Sequence, residues 1–99
     1  MAADQDAVKV APDVYKVLFE NDRVRVLEIR IKPGDKSAMH AHPDYVLYVV
    51  SPAKVNFTGG DGASAEVEFP VGAAWRDAES HAVENIGSSE AHAIAIELK

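Results

Sequence analysis

Two of the chain's four histidines, His40 and His42, are separated by one residue in the stretch "PGDKSAMHAHPDYVLYVV". Residues i and i+2 of a β-strand point to the same face, with their Cα atoms about 6.5–7 Å apart. From that separation two imidazoles could converge on one ion, and neutral imidazole suits Fe, Ni, Cu, Zn and, less well, Mn. A His-x-His pair is a weak signal by itself, because the same pattern is common on exposed strands.

A third histidine, His81, opens the segment "HAVEN". If this segment and "MHAH" form neighbouring strands of a barrel, three imidazoles can meet inside it. The alternative is that an interior histidine is a hydrogen-bonded core residue and binds no metal. His92 begins the last predicted strand beside a turn, and we expect it to be peripheral. On spacing alone, metal binding and a structural role both stay open.

Composition limits the kinds of site and partner that the chain can have. It has 99 residues, no cysteine, 16 acidic and 10 basic side chains, and a net charge of −6. The length suggests one domain. Without cysteine, disulfides, iron–sulfur clusters and thiol catalysis are excluded, so a metal must be held by histidine, carboxylate, tyrosine or water. The negative charge predicts that neither nucleic acid nor an anionic membrane is a partner.

The first residues, "MAADQDAVKVAPD", carry acids where a secretory signal needs a basic start, and they lack an apolar stretch. No segment approaches the length that spans a membrane. We therefore expect a cytoplasmic protein. The small and polar residues 1–12 predict a flexible N-terminal arm, followed by a single domain over residues 13–99.

Period-two alternation with β-branched residues predicts eight or nine short strands and no helix. The segment "VRVLEIRI" is the clearest case, since Leu27, Ile29 and Ile31 share one face while Val24 and Val26 share the other. The predicted strands cover residues 14–20, 24–31, 37–42, 45–50, 54–58, 65–70, 73–76, 81–86 and 92–98. Many short strands at regular spacing indicate an all-β sandwich or barrel.

Two motifs give the chain a resemblance to small single-domain cupins. Gly34, five further residues, and then His40 and His42 resemble the opening of the first cupin motif. The run from His81 to Asn85 resembles the His-x-x-x-Asn ending of the second. The resemblance covers roughly residues 14–98 and implies an antiparallel cupin-type β-barrel, also called a double-stranded β-helix or jelly roll.

The chain departs from the cupin pattern at two places. The first motif normally has a glutamate four or five residues after its second histidine, where this chain has Val46 and Leu47. The second motif normally has Pro-x-Gly before its histidine, where this chain has "RDAES", and the spacing from Gly72 to His81 is two residues short. The resemblance therefore implies a neutral three-histidine ligand set with open coordination positions for water, O₂ or a chelating anion.

The resemblance implies that His40, His42 and His81 bind a divalent transition metal, which could be Fe, Ni, Zn or Mn. Similar three-histidine cupin sites occur in thiol dioxygenases and diketone-cleaving dioxygenases. One interpretation is a metal-dependent enzyme, dioxygenase-like or isomerase-like, that acts on a small organic acid or diketone-like molecule. The alternatives are a non-catalytic module that binds or senses a small ligand or metal, and a metal-free structural barrel.

Four residues are candidates for the wall of a substrate pocket: Tyr45, Leu47, Trp75 and Asn85. No catalytic residue can be assigned from the sequence, because the histidines would be occupied as ligands. Tyr45, Asp44 and Glu79 are the available candidates for a general acid or base.

The apolar stretch "VYKVLFE" over residues 14–20 would be exposed as a free sheet edge. A long apolar edge invites pairing with another chain, and small cupins often form dimers. We therefore expect a homodimer.

Overall fold

Nine β-strands and one short helix form the regular structure in the computed structural model, which describes residues 5–99. The elements are α1 (Ala7–Val10), β1 (Tyr15–Glu20), β2 (Val24–Ile31), β3 (His40–His42), β4 (Tyr45–Ser51), β5 (Ala53–Gly59), β6 (Ser64–Phe69), β7 (Gly72–Arg76), β8 (Glu79–Asn85) and β9 (Ala91–Leu98).

The strands form two antiparallel sheets. One has the order β1-β2-β9-β4-β7, and the other has the order β3-β8-β5-β6. Since strands distant in the chain are neighbours in both sheets, the topology is not a simple succession of hairpins. The prediction of an all-β, antiparallel jelly-roll barrel is confirmed.

Alternation along β2 explains how the five-stranded sheet buries one face. Leu27 is fully buried and pairs with Ala95 of β9. Ala95 pairs in turn with Leu47 of β4. A small residue between two leucines lets the side chains interlock without a void. Tyr15 and Tyr45 complete the same core cluster. The core therefore carries two phenol hydroxyl groups, and each needs a hydrogen-bond partner.

The N-terminal segment packs on the barrel over residues 5–12, where the sequence predicted a flexible arm. Ala7 is fully buried in the core cluster and Ala11 is nearly so. Asp6 forms an ion pair with Arg25 of β2 and an isolated parallel bridge with Ala41 of β3. Burial of Ala7 and Ala11 and the ion pair of Asp6 thus attach this segment to the barrel, although its composition suggested a flexible chain. Residues 1–4 of the predicted arm lie outside the described residues.

The helix α1 has four residues. Within residues 5–99, no helix is long and apolar enough to cross a membrane.

Candidate metal centre

The three histidines lie together on the inner face of the four-stranded sheet. His40 and His81 are direct cross-strand partners in β3 and β8, and His42 lies two residues further along β3. All three side chains are buried. The three ring centroids are 4.7, 4.9 and 5.0 Å apart, which is a nearly equilateral triangle.

The orientation of the three rings suits a metal. Each Nδ1 atom has an oxygen partner that accepts a hydrogen bond. The bonds run from His40 Nδ1 to the Ala38 carbonyl oxygen (2.7 Å), from His42 Nδ1 to Glu97 Oε2 (2.6 Å), and from His81 Nδ1 to Glu79 Oε1 (3.2 Å). Because carbonyl and carboxylate oxygens only accept, each Nδ1 carries the proton and each Nε2 keeps its lone pair.

The donor set fits a single transition-metal ion. One ligand atom from each histidine lies within 4.8 Å of the others in the group. Imidazole nitrogens bind zinc at about 2.0–2.1 Å, so small ring rotations would bring all three into range. An accepting partner on the second ring nitrogen is the arrangement that fixes the tautomer of metal-binding histidines.

Burial keeps His40 and His81 uncharged. It lowers the pKa of His40 to about 4, against the smaller opposing effect of the hydrogen bond to Ala38. Burial also lowers the pKa of His81, although the hydrogen bond to Glu79 opposes that shift. At neutral pH both rings are therefore in the form that binds metals.

Glu97 lies behind His42 and connects it to the N-terminal segment. Its side chain is buried, and it also accepts a hydrogen bond from Arg25 Nε at 2.8 Å. Arg25 NH1 in turn donates to Asp6 at 3.1 Å. Burial alone would raise the pKa of Asp6, but the hydrogen bond and charge of Arg25 hold it below its usual value. The chain of contacts therefore runs from the residue that precedes α1 to a histidine of the centre.

A second network surrounds His81. Glu79 binds Arg76 through two hydrogen bonds of 2.8 Å and accepts a third, of 3.2 Å, from the Tyr45 hydroxyl. Burial alone would raise the pKa of Glu79, but its bonds with His81 and Arg76 lower it to about 2. Glu79 is thus an ionised acceptor rather than a free acid or base. Tyr45 and Glu79, both predicted candidates for acid–base chemistry, are therefore bonded to each other, which their positions in the sequence do not indicate.

Tyr15 contacts the centre directly, and the sequence analysis did not identify it. Its hydroxyl group lies 2.8 Å from His40 Nε2, and it donates this bond because Nε2 is unprotonated. Its ring packs against His40 and His42 with centroid distances of 4.8 and 5.4 Å. Burial raises the pKa of Tyr15 well above its ordinary value. The sequence signal was the alternation of "VYKVLFE", which places Tyr15 on one face of a strand but gives no partner for it.

An apolar cavity opens beside the histidines. Its volume is about 70 Å³. His42 and His81 form part of its wall, and Arg76 contributes a charge. Tyr45 and Leu47, both predicted pocket residues, also line it. The cavity therefore suits a small and largely apolar molecule.

Trp75 does not line this cavity, in contrast to the prediction. It lies opposite Val46 in the pairing of β7 with β4, whereas the neighbouring Tyr45 and Leu47 face inward. Trp75 is consequently 55% exposed on the outer face, and its indole nitrogen donates to Asp77. The register of β7 against β4 determines that Trp75 points to the outer face of the sheet. The alternation of residues within β7 does not predict this register.

Asn85 also does not line the cavity, and its role is structural. Its amide nitrogen donates to the carbonyl oxygens of Ile31 and Ser89, both at 2.8 Å. Its amide oxygen accepts from the Gly87 backbone at 2.9 Å. The side chain is 1% exposed, so these bonds satisfy a polar group inside the protein. His92, predicted to be peripheral, bonds Glu28 and does not belong to the group of three histidines, although it also lines the cavity.

Comparison with solved structures places this architecture among known proteins. The chain is similar to a cupin domain from Bordetella pertussis Tohama I, with a TM-score of 0.79 and 28% identity over 87% of this chain and 92% of that one. It is also similar to a conserved protein with a double-stranded β-helix domain from Klebsiella pneumoniae, with a TM-score of 0.70 and 19% identity over 86% of this chain and 75% of that one.

A third similar structure is a predicted oxalate decarboxylase from Thermotoga maritima. Its TM-score is 0.60 and its identity is 18% over 86% of this chain and 79% of that one. At such identities the second and third structures show the shared fold and nothing about chemistry. No family model matches the sequence, and no curated protein matches it either.

Proposed function

We propose that this chain, a small protein of the cupin superfamily, binds one divalent transition metal through His40, His42 and His81. The observation that carries the proposal is the hydrogen bonding of the three rings. Every Nδ1 donates to an oxygen, so every Nε2 is left unprotonated, and one ligand atom from each ring lies within 4.8 Å of the others. A barrel that used these histidines only for packing would not need three matching tautomers.

The ligand set favours Fe, Ni, Zn or Mn. Three neutral imidazoles leave the ion's full +2 charge uncompensated by the ligands. The same charge attracts an anionic or chelating molecule to the coordination positions that the protein leaves open.

Metal analysis of protein purified without an affinity tag tests this proposal. We expect about one metal ion per chain in the wild type and loss of that ion in His81→Ala. His92→Ala is the matched control, because it removes a histidine that bonds Glu28 outside the group. Circular dichroism verifies that both variants keep the fold. Metal content in His81→Ala equal to that of the control would refute the assignment.

The cavity beside the centre supports a metal-dependent enzyme that acts on a small organic acid or diketone-like molecule. The chemistry that a bound ion supplies is Lewis-acid polarisation of a chelated oxygen or a binding position for O₂. The protein's own part is to exclude water with apolar walls and to present the Arg76 charge, which Glu79 holds in place. A dioxygenase-like or isomerase-like reaction fits this arrangement.

A second candidate is a module that binds a small ligand or metal without turnover. It is favoured by the bonds that Glu79 accepts from Tyr45 and Arg76, which leave neither Tyr45 nor Glu79 free to act as a general base. Oxygen uptake with Fe(II) and a panel of thiols, diketones and enols separates the two candidates. Consumption of O₂, or conversion of a compound without O₂, supports the enzyme, and binding that leaves both O₂ and the compound unchanged supports the module.

We also propose that two copies associate through the outer face of the five-stranded sheet. A row of apolar residues crosses all five strands in register, one from each strand: Phe19, Val26, Ile96, Val46 and Trp75. Phe19 faces outward because a bulge between Val17 and Phe19 shifts the register of β1. Phe19 and Trp75 at the two ends are 54% and 55% exposed.

A second copy is the occupant that this row fits best. Chains with a net charge of −6 repel one another, so contact between copies needs a face without charge. The row contains no charged residue and is about 19 Å wide across five strands. A two-fold axis would place the same apolar row on both sides of the contact.

The cytoplasmic location expected from the sequence stays a prediction.

A further inference from the structure

We infer that Tyr15 is the fourth protein ligand of the proposed metal centre, which it completes with its phenolate oxygen. The inference rests on the proposed function, since it concerns the same ion. Its starting point is the contact between the Tyr15 hydroxyl and His40 Nε2, at 2.8 Å. This nitrogen is the atom through which His40 would bind the metal.

The distance suits two ligands of one ion. Metal bonds of about 2.0–2.2 Å at angles near 90–110° place neighbouring ligand atoms roughly 2.9–3.4 Å apart. A hydroxyl group that donates to the lone pair of His40 Nε2 lies on the side from which the ion would bind, so a small shift of its oxygen away from the lone-pair direction would make it a co-ligand of His40. Ring contacts of Tyr15 with both His40 and His42 hold it over the group.

The other acidic or phenolic groups near the centre are directed elsewhere. Glu97 and Glu79 bind the Nδ1 atoms of His42 and His81, on the side of each ring opposite Nε2. The Tyr45 hydroxyl donates to Glu79. Of the chain's three tyrosines, the remaining one is Tyr48, which is 45% exposed. Tyr15 is thus the oxygen ligand that the described hydrogen bonds indicate.

Binding of the ion breaks the O–H bond of Tyr15 and forms a metal–oxygen bond, and the proton passes to solvent. No electrons are transferred. The phenolate supplies one negative charge to an otherwise neutral ligand set. The net charge of the ion together with its protein ligands therefore falls from +2 to +1. In the ion-free protein the same hydroxyl donates to His40, so the site has one arrangement with the ion and another without it.

Visible absorption of the protein loaded with Cu(II) or Fe(III) tests the inference, because a phenolate bound to either ion gives a charge-transfer band. We expect this band in the wild type, with phenolate ring vibrations in the resonance Raman spectrum. Tyr15→Phe should lose both signals and bind Zn(II) at least about tenfold more weakly. Tyr48→Phe is the matched control, since Tyr48 is 45% exposed outside the centre and its loss should keep the band.

The outcomes separate this inference from the proposed function. A wild type that binds one ion and shows no phenolate band refutes the inference alone. So does a band that survives Tyr15→Phe, or one that is lost in Tyr48→Phe. A wild type that binds no metal at all, with Zn(II) included, refutes the proposed function and the inference together.

Discussion

Glu97 Oε2 accepts a hydrogen bond of 2.6 Å from His42 Nδ1, and both side chains are almost completely buried. The carboxylate comes from β9 of one sheet and the imidazole from β3 of the other. The contact therefore links the two sheets at the metal centre. It also makes the Nε2 atom of His42 a stronger electron donor, because the carboxylate attracts the proton on Nδ1 and leaves more electron density on the imidazole ring.

Replacing Glu97 with glutamine should weaken metal binding about 10–100-fold, because the uncharged amide loses the electrostatic support of His42. Competition with a chromophoric chelator for Zn(II) measures the change. Glu28→Gln is the matched control, since Glu28 pairs with His92 at 3.0 Å outside the centre. Equal affinities in the two variants would show that Glu97 does not support the metal site.

The contribution of Asp6 to stability should depend on pH. Its pKa is lowered in the folded protein, so its contribution is complete above the ordinary value of 3.8 and is lost as the pH falls through the folded value. We expect Asp6→Asn to lower the free energy of unfolding by about 1 kcal/mol at pH 7. The difference from wild type should shrink below about pH 4.

Urea unfolding of both proteins at pH 7 and pH 3 measures this effect. Asp13→Asn serves as the control, because Asp13 is an exposed residue of the same segment. A difference between Asp6→Asn and wild type that is the same at both pH values would contradict the role of the Asp6–Arg25 pair.

The alternation of single strands was enough to predict most of the fold. The face pattern of β2 and the common face of His40 and His42 both follow from the period of two. The partner of His40 does not follow from it. That His81 lies directly opposite depends on the order of strands in the sheet, which the family resemblance implied and the periodicity did not.

The parts that the sequence did not predict depend on contacts between segments distant in the chain. Tyr15 reaches His40, and Glu97 reaches His42, through the packing of one sheet on the other. Trp75 was placed on the wrong face because the register of β7 against β4 sets its direction. The segment around Ala7 was expected to be flexible because most of its residues are small or polar. Its composition does not indicate that Ala7 is buried in the core.

Trp75→Glu should dissociate the proposed dimer, since it places a charge at the end of the apolar row on each copy. Sedimentation velocity should show a dimer for the wild type and a monomer for the variant. Val71→Glu is the matched control, because Val71 is 54% exposed but belongs to none of the strands that carry the row. A wild type that sediments as a monomer at all concentrations would exclude this interface.

Leu27→Ala should destabilise the fold by about 2–5 kcal/mol, because it leaves a cavity in the core of the five-stranded sheet. Leu18→Ala should cost much less, since Leu18 is 49% exposed at the bulge of β1. Chemical unfolding measures both free energies. Similar costs for the two variants would contradict the assignment of the core.

The central claim is tested most directly by an anomalous difference map from a crystal of the zinc-loaded protein. We predict one peak within about 2.0–2.1 Å of the Nε2 atoms of His40, His42 and His81. A peak at another place, or none beside these three rings in the zinc-loaded crystal, would contradict the claim that they form a metal centre.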